Sequence, residues 1–220
     1  MPDEKKKPLH PETNFLPPLD MVLSFFKKKA KPSTVNDMPQ APEEVKEQDV
    51  KRIILTHSDI DHIGSLAALQ KATGARTYAS QTEADAIAMA KPSREIKPKG
   101  FSLRRVLFTL MRPFIKVTPF QIHEIVAERQ TLPALGGLQV LETPGHTPGH
   151  ISLFAPTIGV LFCGDSMVAD ENGLQGSRPG ITWDESKARA SERKQAGLGA
   201  QIVCSGHGPA VREAAGKFPI

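Results

Sequence analysis

The stretch Thr56-His57-Ser58-Asp59-Ile60-Asp61-His62 constrains this chain more than any other. It follows an apolar run, Val50 to Leu55, that reads as a strand, and it opens into Gly64–Thr73, whose apolar spacing is helical. Two imidazoles and two carboxylates within six residues are too polar for a core and too dense for an ordinary turn. A tight strand-to-helix turn that aims histidine and aspartate inward builds a metal site. The same residues also permit a plainer reading, a solvated turn in which Ser58 or Asp61 caps the next helix.

Three further strand ends repeat the arrangement. Leu138–Glu142 runs into Thr143-Pro144-Gly145-His146-Thr147-Pro148-Gly149-His150, Val160–Cys163 into Gly164-Asp165, and Gln201–Cys204 into Ser205-Gly206-His207-Gly208. Each is an apolar run, then a turn carrying glycine with histidine or aspartate. Of the seven histidines, five lie in these motifs, and only His10 and His123 lie outside them. Chance would scatter them, so one shared site is the better explanation.

The rest of the chain from residue 50 alternates strand and helix. Arg76–Ala79 reads as a short strand, Gln81–Ala90 as an alanine-rich helix ended by Pro92, and Ile151–Phe154 as a strand. A polar helix, Trp183 to Ala196, precedes the last strand. Between Lys91 and Pro119 a basic segment interleaves Arg94, Arg104, Arg105 and Arg112 with Phe101, Leu103 and Phe108. Residues 1–49 differ in kind, since prolines and two lysine runs interrupt nearly every element and leave one apolar patch, Leu19 to Phe26. The division expected is therefore an irregular segment, 1–49, followed by one domain, 50–220.

Composition narrows the function. The net charge of +4 permits anionic substrates without demanding nucleic acid. The two cysteines, Cys163 and Cys204, stand in apolar runs and read as reduced, buried thiols. With a charged start and no apolar stretch near the roughly eighteen residues of a membrane span, the expectation is a cytoplasmic protein.

Taken together, the four motifs resemble the metallo-β-lactamase superfamily, on its glyoxalase-II-like side, across residues 50 to 210. That resemblance implies an αββα sandwich with a two-metal site, usually zinc, along one edge of the sheets. Carried over, His57, Asp59 and His146 would hold one ion, Asp61, His62 and His207 the other, and Asp165 would bridge them. His150 would brace its loop. Two ions lower the pKa of a bridging water enough for attack on a carbonyl or phosphoryl centre, and Asp61 would relay a proton to the leaving group.

Two departures stand out. The family usually has histidine at position 59, and the aspartate here makes the site harder and tilts it towards manganese or iron. Residues 1–49 lack the opening strands and the Asp-Thr-Gly-like turn, so the first sheet is expected to be incomplete, its edge covered by the Leu19–Phe26 patch or by another subunit. The segment after His207 is also shorter than the helical substrate domain of glyoxalase II. The expectation is a binuclear hydrolase of a small ester, thioester or lactone. The alternatives are a catalytically weak module that binds metal or a partner and, with less support, a phosphodiesterase or nuclease using the basic segment.

Overall fold

The computed structural model describes residues 46–94 and 117–219. The first apolar run forms only a short ladder, β1 (Arg52–Ile54), shorter than the expected strand from Val50 to Leu55. Leu55 still donates its amide to the Tyr78 carbonyl at 2.9 Å. After the histidine-rich turn come a single helical turn, α1 (Ile60–Ile63), and α2 (Leu66–Thr73). Gly74 ends α2 in the left-handed region, φ 66°, with its amide on the Gln70 carbonyl.

The next strand, β2 (Arg76–Ala79), pairs parallel with β1, and a helical crossover between them is what parallel pairing requires. Helix α3 (Gln81–Ala88) starts at Ser80, whose hydroxyl accepts the Glu83 amide. It ends before the expected Ala90, which takes φ 49° and leaves helical geometry. Strand β3 (Glu124–Ile125) adds parallel to β2 and completes a three-stranded sheet among the described residues.

The larger sheet is built from β4 (Thr131–Leu132), β5 (Leu138–Glu142), β6 (Ile151–Ala155), β7 (Val160–Gly164), β10 (Ile202–Ser205) and β11 (Val211–Arg212). Its order is β11-β10-β7-β6-β5-β4, antiparallel except for the β7–β10 pair. A separate hairpin joins β8 (Met167–Asp170) to β9 (Gly173–Gly176). Helix α4 (Glu185–Ala196) follows, capped by Asp184, which accepts the Ser186 and Lys187 amides.

Alternation along the strands sorts the core into layers. Leu138, Val140, Ile151 and Leu153 leave one face of the large sheet and pack with Tyr78 of the small one. Leu141, Phe154, Leu161 and Cys163 leave the other face and pack with Ala196, Leu198 and the hairpin residues Met167 and Leu174. On the outer side of the small sheet, Leu55 and Ala79 meet Ile63, Leu66, Ala84 and Ile87 from the helices. The result is helix, small sheet, large sheet, helix: the αββα arrangement.

The two-pair strands β3, β4 and β11 were not foreseen, because they are too short to carry a periodicity, and neither was the four-pair β8–β9 hairpin. Both cysteines are free, Cys163 buried and Cys204 partly so. No helix among the described residues is long and apolar enough to cross a membrane. Expectations for residues 1–45, including the Leu19–Phe26 patch, and for most of the basic segment lie outside the described residues.

Candidate metal centre

Every motif residue lies just beyond a strand end on one rim of the two sheets. The first motif follows β1 of the small sheet, and the other three follow β5, β7 and β10 of the large one. A bond across the layers ties them, since the Ile151 amide donates to the Thr56 carbonyl at 2.9 Å. The His146 loop lies against the start of α4, where the Trp183 and Asp184 amides donate to the His146 and Gly145 carbonyls. Gly145, at φ 147°, permits that approach, because a Cβ there would strike the Ala188 backbone.

The side chains converge in three overlapping groups: His57, Asp59 and His146; Asp61, His62 and His207; and His57, His62 and Asp165. In each group the candidate donor atoms lie within 4.8 Å of one another. Asp59 Oδ2 is 3.1 Å from His146 Nε2 and 3.6 Å from His57 Nε2. His207 Nε2 is 3.2 Å from Asp61 Oδ2 and 3.3 Å from Asp165 Oδ2. Asp165 Oδ1 faces His62 Nε2 at 3.4 Å. In the first group His57 and His146 are buried and Asp59 is partly so, whereas Asp61 is half exposed and His207 a third exposed, so the second group faces solvent.

The far nitrogens of the buried imidazoles are held from behind. His57 Nδ1 is 3.0 Å from the Thr56 hydroxyl, and His146 Nδ1 is 3.3 Å from the Ser177 hydroxyl, itself bonded to Thr182. Such partners orient a ring so that Nε2 points at a cation. His150 does not point inward this way. Its Nδ1 meets the Thr143 hydroxyl at 2.8 Å and its Nε2 accepts the Asp165 amide, which is the bracing role expected of it.

The donor set fits divalent ions. His57 Nε2 and Asp165 Oδ1 are buried and have no hydrogen-bond partner among the described residues, a costly condition that a bound cation would relieve. Gly206 leaves the space clear, because a Cβ there would collide with Asp165 Oδ1. Imidazole and carboxylate together suit zinc, iron or manganese.

Charge in the cluster is strongly coupled. Burial acts to raise the Asp165 and Asp59 carboxyls, but the imidazoles beside both, with Arg94 beside Asp59, hold them well below the usual range. The His207 imidazole likewise lowers Asp61, and Asp165 and Asp61 push His207 up to about 10. Burial depresses His57 and His150.

A profile of the metallo-beta-lactamase superfamily matches residues 33–207. The chain belongs to the metallo-beta-lactamase superfamily. Among its relatives there, it is 30% identical over 176 residues to the probable metallo-hydrolase YflN of Bacillus subtilis (strain 168), covering 72% of this chain and 64% of the relative. It is 30% identical over 158 residues to a hydroxyacylglutathione hydrolase of Cereibacter sphaeroides (strain ATCC 17025 / ATH 2.4.3), covering 71% of this chain and 48% of that one. The chain thus spans between about half and two thirds of the length of these two relatives. Two solved structures share the fold. TTHA1623 in a di-iron-bound form has a TM-score of 0.55 at 24% identity over 76% of this chain and 74% of its own. The metallo-beta-lactamase family protein TTHA1429 of Thermus thermophilus has 0.55 at 26% identity over 77% and 58%.

Against that superfamily background, two residues escaped the sequence reading. Glu83, fully buried, accepts the Ser58 amide at 2.9 Å on one oxygen and the Thr147 hydroxyl and Gly149 amide on the other, at 2.7 and 3.0 Å. It therefore joins the first histidine turn to the second. The second missed residue, Arg94, forks both oxygens of Asp59 at 2.6 and 2.7 Å. An aspartate where the family has histidine is itself the signal that a compensating cation should be sought.

Proposed function

We propose that this chain is a metal-dependent hydrolase acting on a carbonyl ester, with thioesters, lactones and small carboxylic esters as its substrate class. One observation carries the reading: four strand-end turns bring imidazole and carboxylate donors into three overlapping groups, in which buried His57 Nε2 and Asp165 Oδ1 have no hydrogen-bond partner among the described residues. His57, Asp59 and His146 would hold one ion and Asp61, His62 and His207 the other, with Asp165 between them. Zinc is the first choice, and Asp59 leaves manganese or iron open. Held there, such ions would supply an acidified water as nucleophile and positive charge for the developing oxyanion.

The protein's own part is to aim and to move protons. Thr56, Ser177 and Glu83 hold the histidine turns, so that Nε2 of each buried ring faces the centre. Asp61, the most solvent-exposed carboxylate of the cluster at 49%, is assigned the transfer of a proton to the leaving group. The relatives named as hydroxyacylglutathione hydrolases favour a thioester over a phosphodiester.

The test is to purify the protein, load it with zinc, manganese or iron, and assay a thioester, a lactone and a phosphodiester. Turnover of the first two, abolished by chelation and restored by metal, is the expected result. A protein that binds metal but turns over none of the three is the binding module instead. The Asp59–Arg94 pair is the feature that favours that second reading.

A further inference from the structure

Position 59 holds a pair rather than a single donor. Asp59 Oδ1 accepts from Arg94 Nη1 at 2.6 Å and Oδ2 from Nη2 at 2.7 Å, a two-pronged fork. The same Oδ2 stands 3.1 Å from His146 Nε2 and 3.6 Å from His57 Nε2. One oxygen is therefore shared between a fixed cation and the place where an ion would sit. Arg94 is almost fully buried, its side chain 2% exposed, and its Nε has no hydrogen-bond partner among the described residues. Burying a guanidinium so completely is worthwhile only against the carboxylate it forks.

The second group has no such cation among the described residues. Asp61, His62 and His207 form their charged contacts with one another and with Asp165, and they face solvent. The two groups thus offer similar donors in opposite electrostatic settings. In the first, the anion that would attract a divalent ion is already neutralised at contact distance, where solvent screens little. In charge, the Asp59–Arg94 pair amounts to the neutral histidine usual at this position, while keeping an oxygen donor.

We propose that Arg94 is a positioning residue that makes the two metal positions unequal: the one formed by His57, Asp59 and His146 binds its ion more weakly and fills second. This rests on the metal-centre reading above. It adds an order of filling and names the residue that sets it. Arg94 holds Asp59 Oδ2 towards the two imidazoles and at the same time subtracts from that position's pull on a cation.

The experiment follows zinc uptake by the full chain, using competition with a chromophoric chelator and metal analysis after dialysis. The parent should bind two ions in steps separated by roughly tenfold or more. His146→Ala should delete the weaker step and leave the tighter one, which assigns the weaker step to the first group. Arg94→Gln should tighten the weaker step by about tenfold, whereas Arg94→Lys, which keeps the charge and loses the fork, should not. Circular dichroism and melting of the chelated variants report folding. If Arg94→Gln does not fold, the double variant Asp59→His/Arg94→Gln removes both charges and should bind at the weaker step more tightly than Asp59→His alone. Two equal steps in the parent, or an Arg94→Gln protein whose weaker step is unchanged or loosened, overturn the inference and leave the metal centre standing. A parent that takes up no zinc, manganese or iron overturns both.

Discussion

His150 Nε2 accepts the backbone amide of Asp165 at 3.1 Å, and that bond places the ring's proton on Nδ1, where it is donated to the Thr143 hydroxyl at 2.8 Å. Burial, together with the neighbouring His57 and His146 rings, keeps His150 neutral. His150→Ala leaves the Asp165 amide and the Thr143 hydroxyl without this partner and opens a void. Stability should fall by about 2–4 kcal/mol, with a milder loss of turnover per folded molecule. Urea unfolding read beside metal content checks this, and unchanged stability would contradict it.

Asp61 should behave in the opposite way. Because it is half exposed, Asp61→Asn should leave the unfolding midpoint nearly unchanged while lowering turnover by about 10²–10⁴-fold. Weaker binding at the second position would add to that loss. Wild-type rates on a thioester or lactone that the parent clearly hydrolyses would remove Asp61 from the mechanism.

Glu83 receives three donors on two oxygens, and a glutamine cannot accept at both ends. Glu83→Gln should therefore cost about 2–3 kcal/mol. For a chain of this size that is a drop in Tm of roughly 5–10 °C. Differential scanning calorimetry on the chelated protein measures it free of any contribution from metal.

Glu192 carries a pH dependence. Burial pushes its carboxyl above the ordinary 4.5, against the Ser177 amide and the Arg189 and Arg193 charges. The folded state therefore holds this proton to higher pH than the unfolded chain does. Stability is lost as pH rises through the window above 4.5, and it stays reduced at neutral pH. Glu192→Gln should melt level with the parent in acid and above it at pH near 7. Equal melting at both would show that the carboxylate is satisfied where it lies.

Of the strands that carry the chemistry, Val160–Gly164 was the most legible, because it packs on both faces and so reads as an apolar run. Arg76–Ala79 and Leu138–Glu142 appear with the boundaries expected of them. Gly74 marked the end of α2 for the same local reason that it was readable, a backbone turn that favours glycine. Glu83 was hidden by its setting, since Ser80-x-x-Glu83 looks like a capping box whose carboxylate turns back on its own helix. Instead it reaches Ser58 and Thr147, partners brought near only by tertiary folding. Arg94 was hidden among other basic residues, because nothing local distinguishes a buried guanidinium from a solvated one.

The donors run from His57 to His207, and the last of them follows β10, which pairs parallel with β7 only after the chain has returned through α4. Closing so long a loop is an entropic cost met late in folding. During synthesis the Asp61, His62 and His207 group is incomplete until the turn after β10 has emerged, although the His57, Asp59 and His146 group can form earlier. Placing the solvent-facing group last in the order of assembly ties the complete donor set to a folded sandwich: chains arrested before β10 would lack the His207 donor.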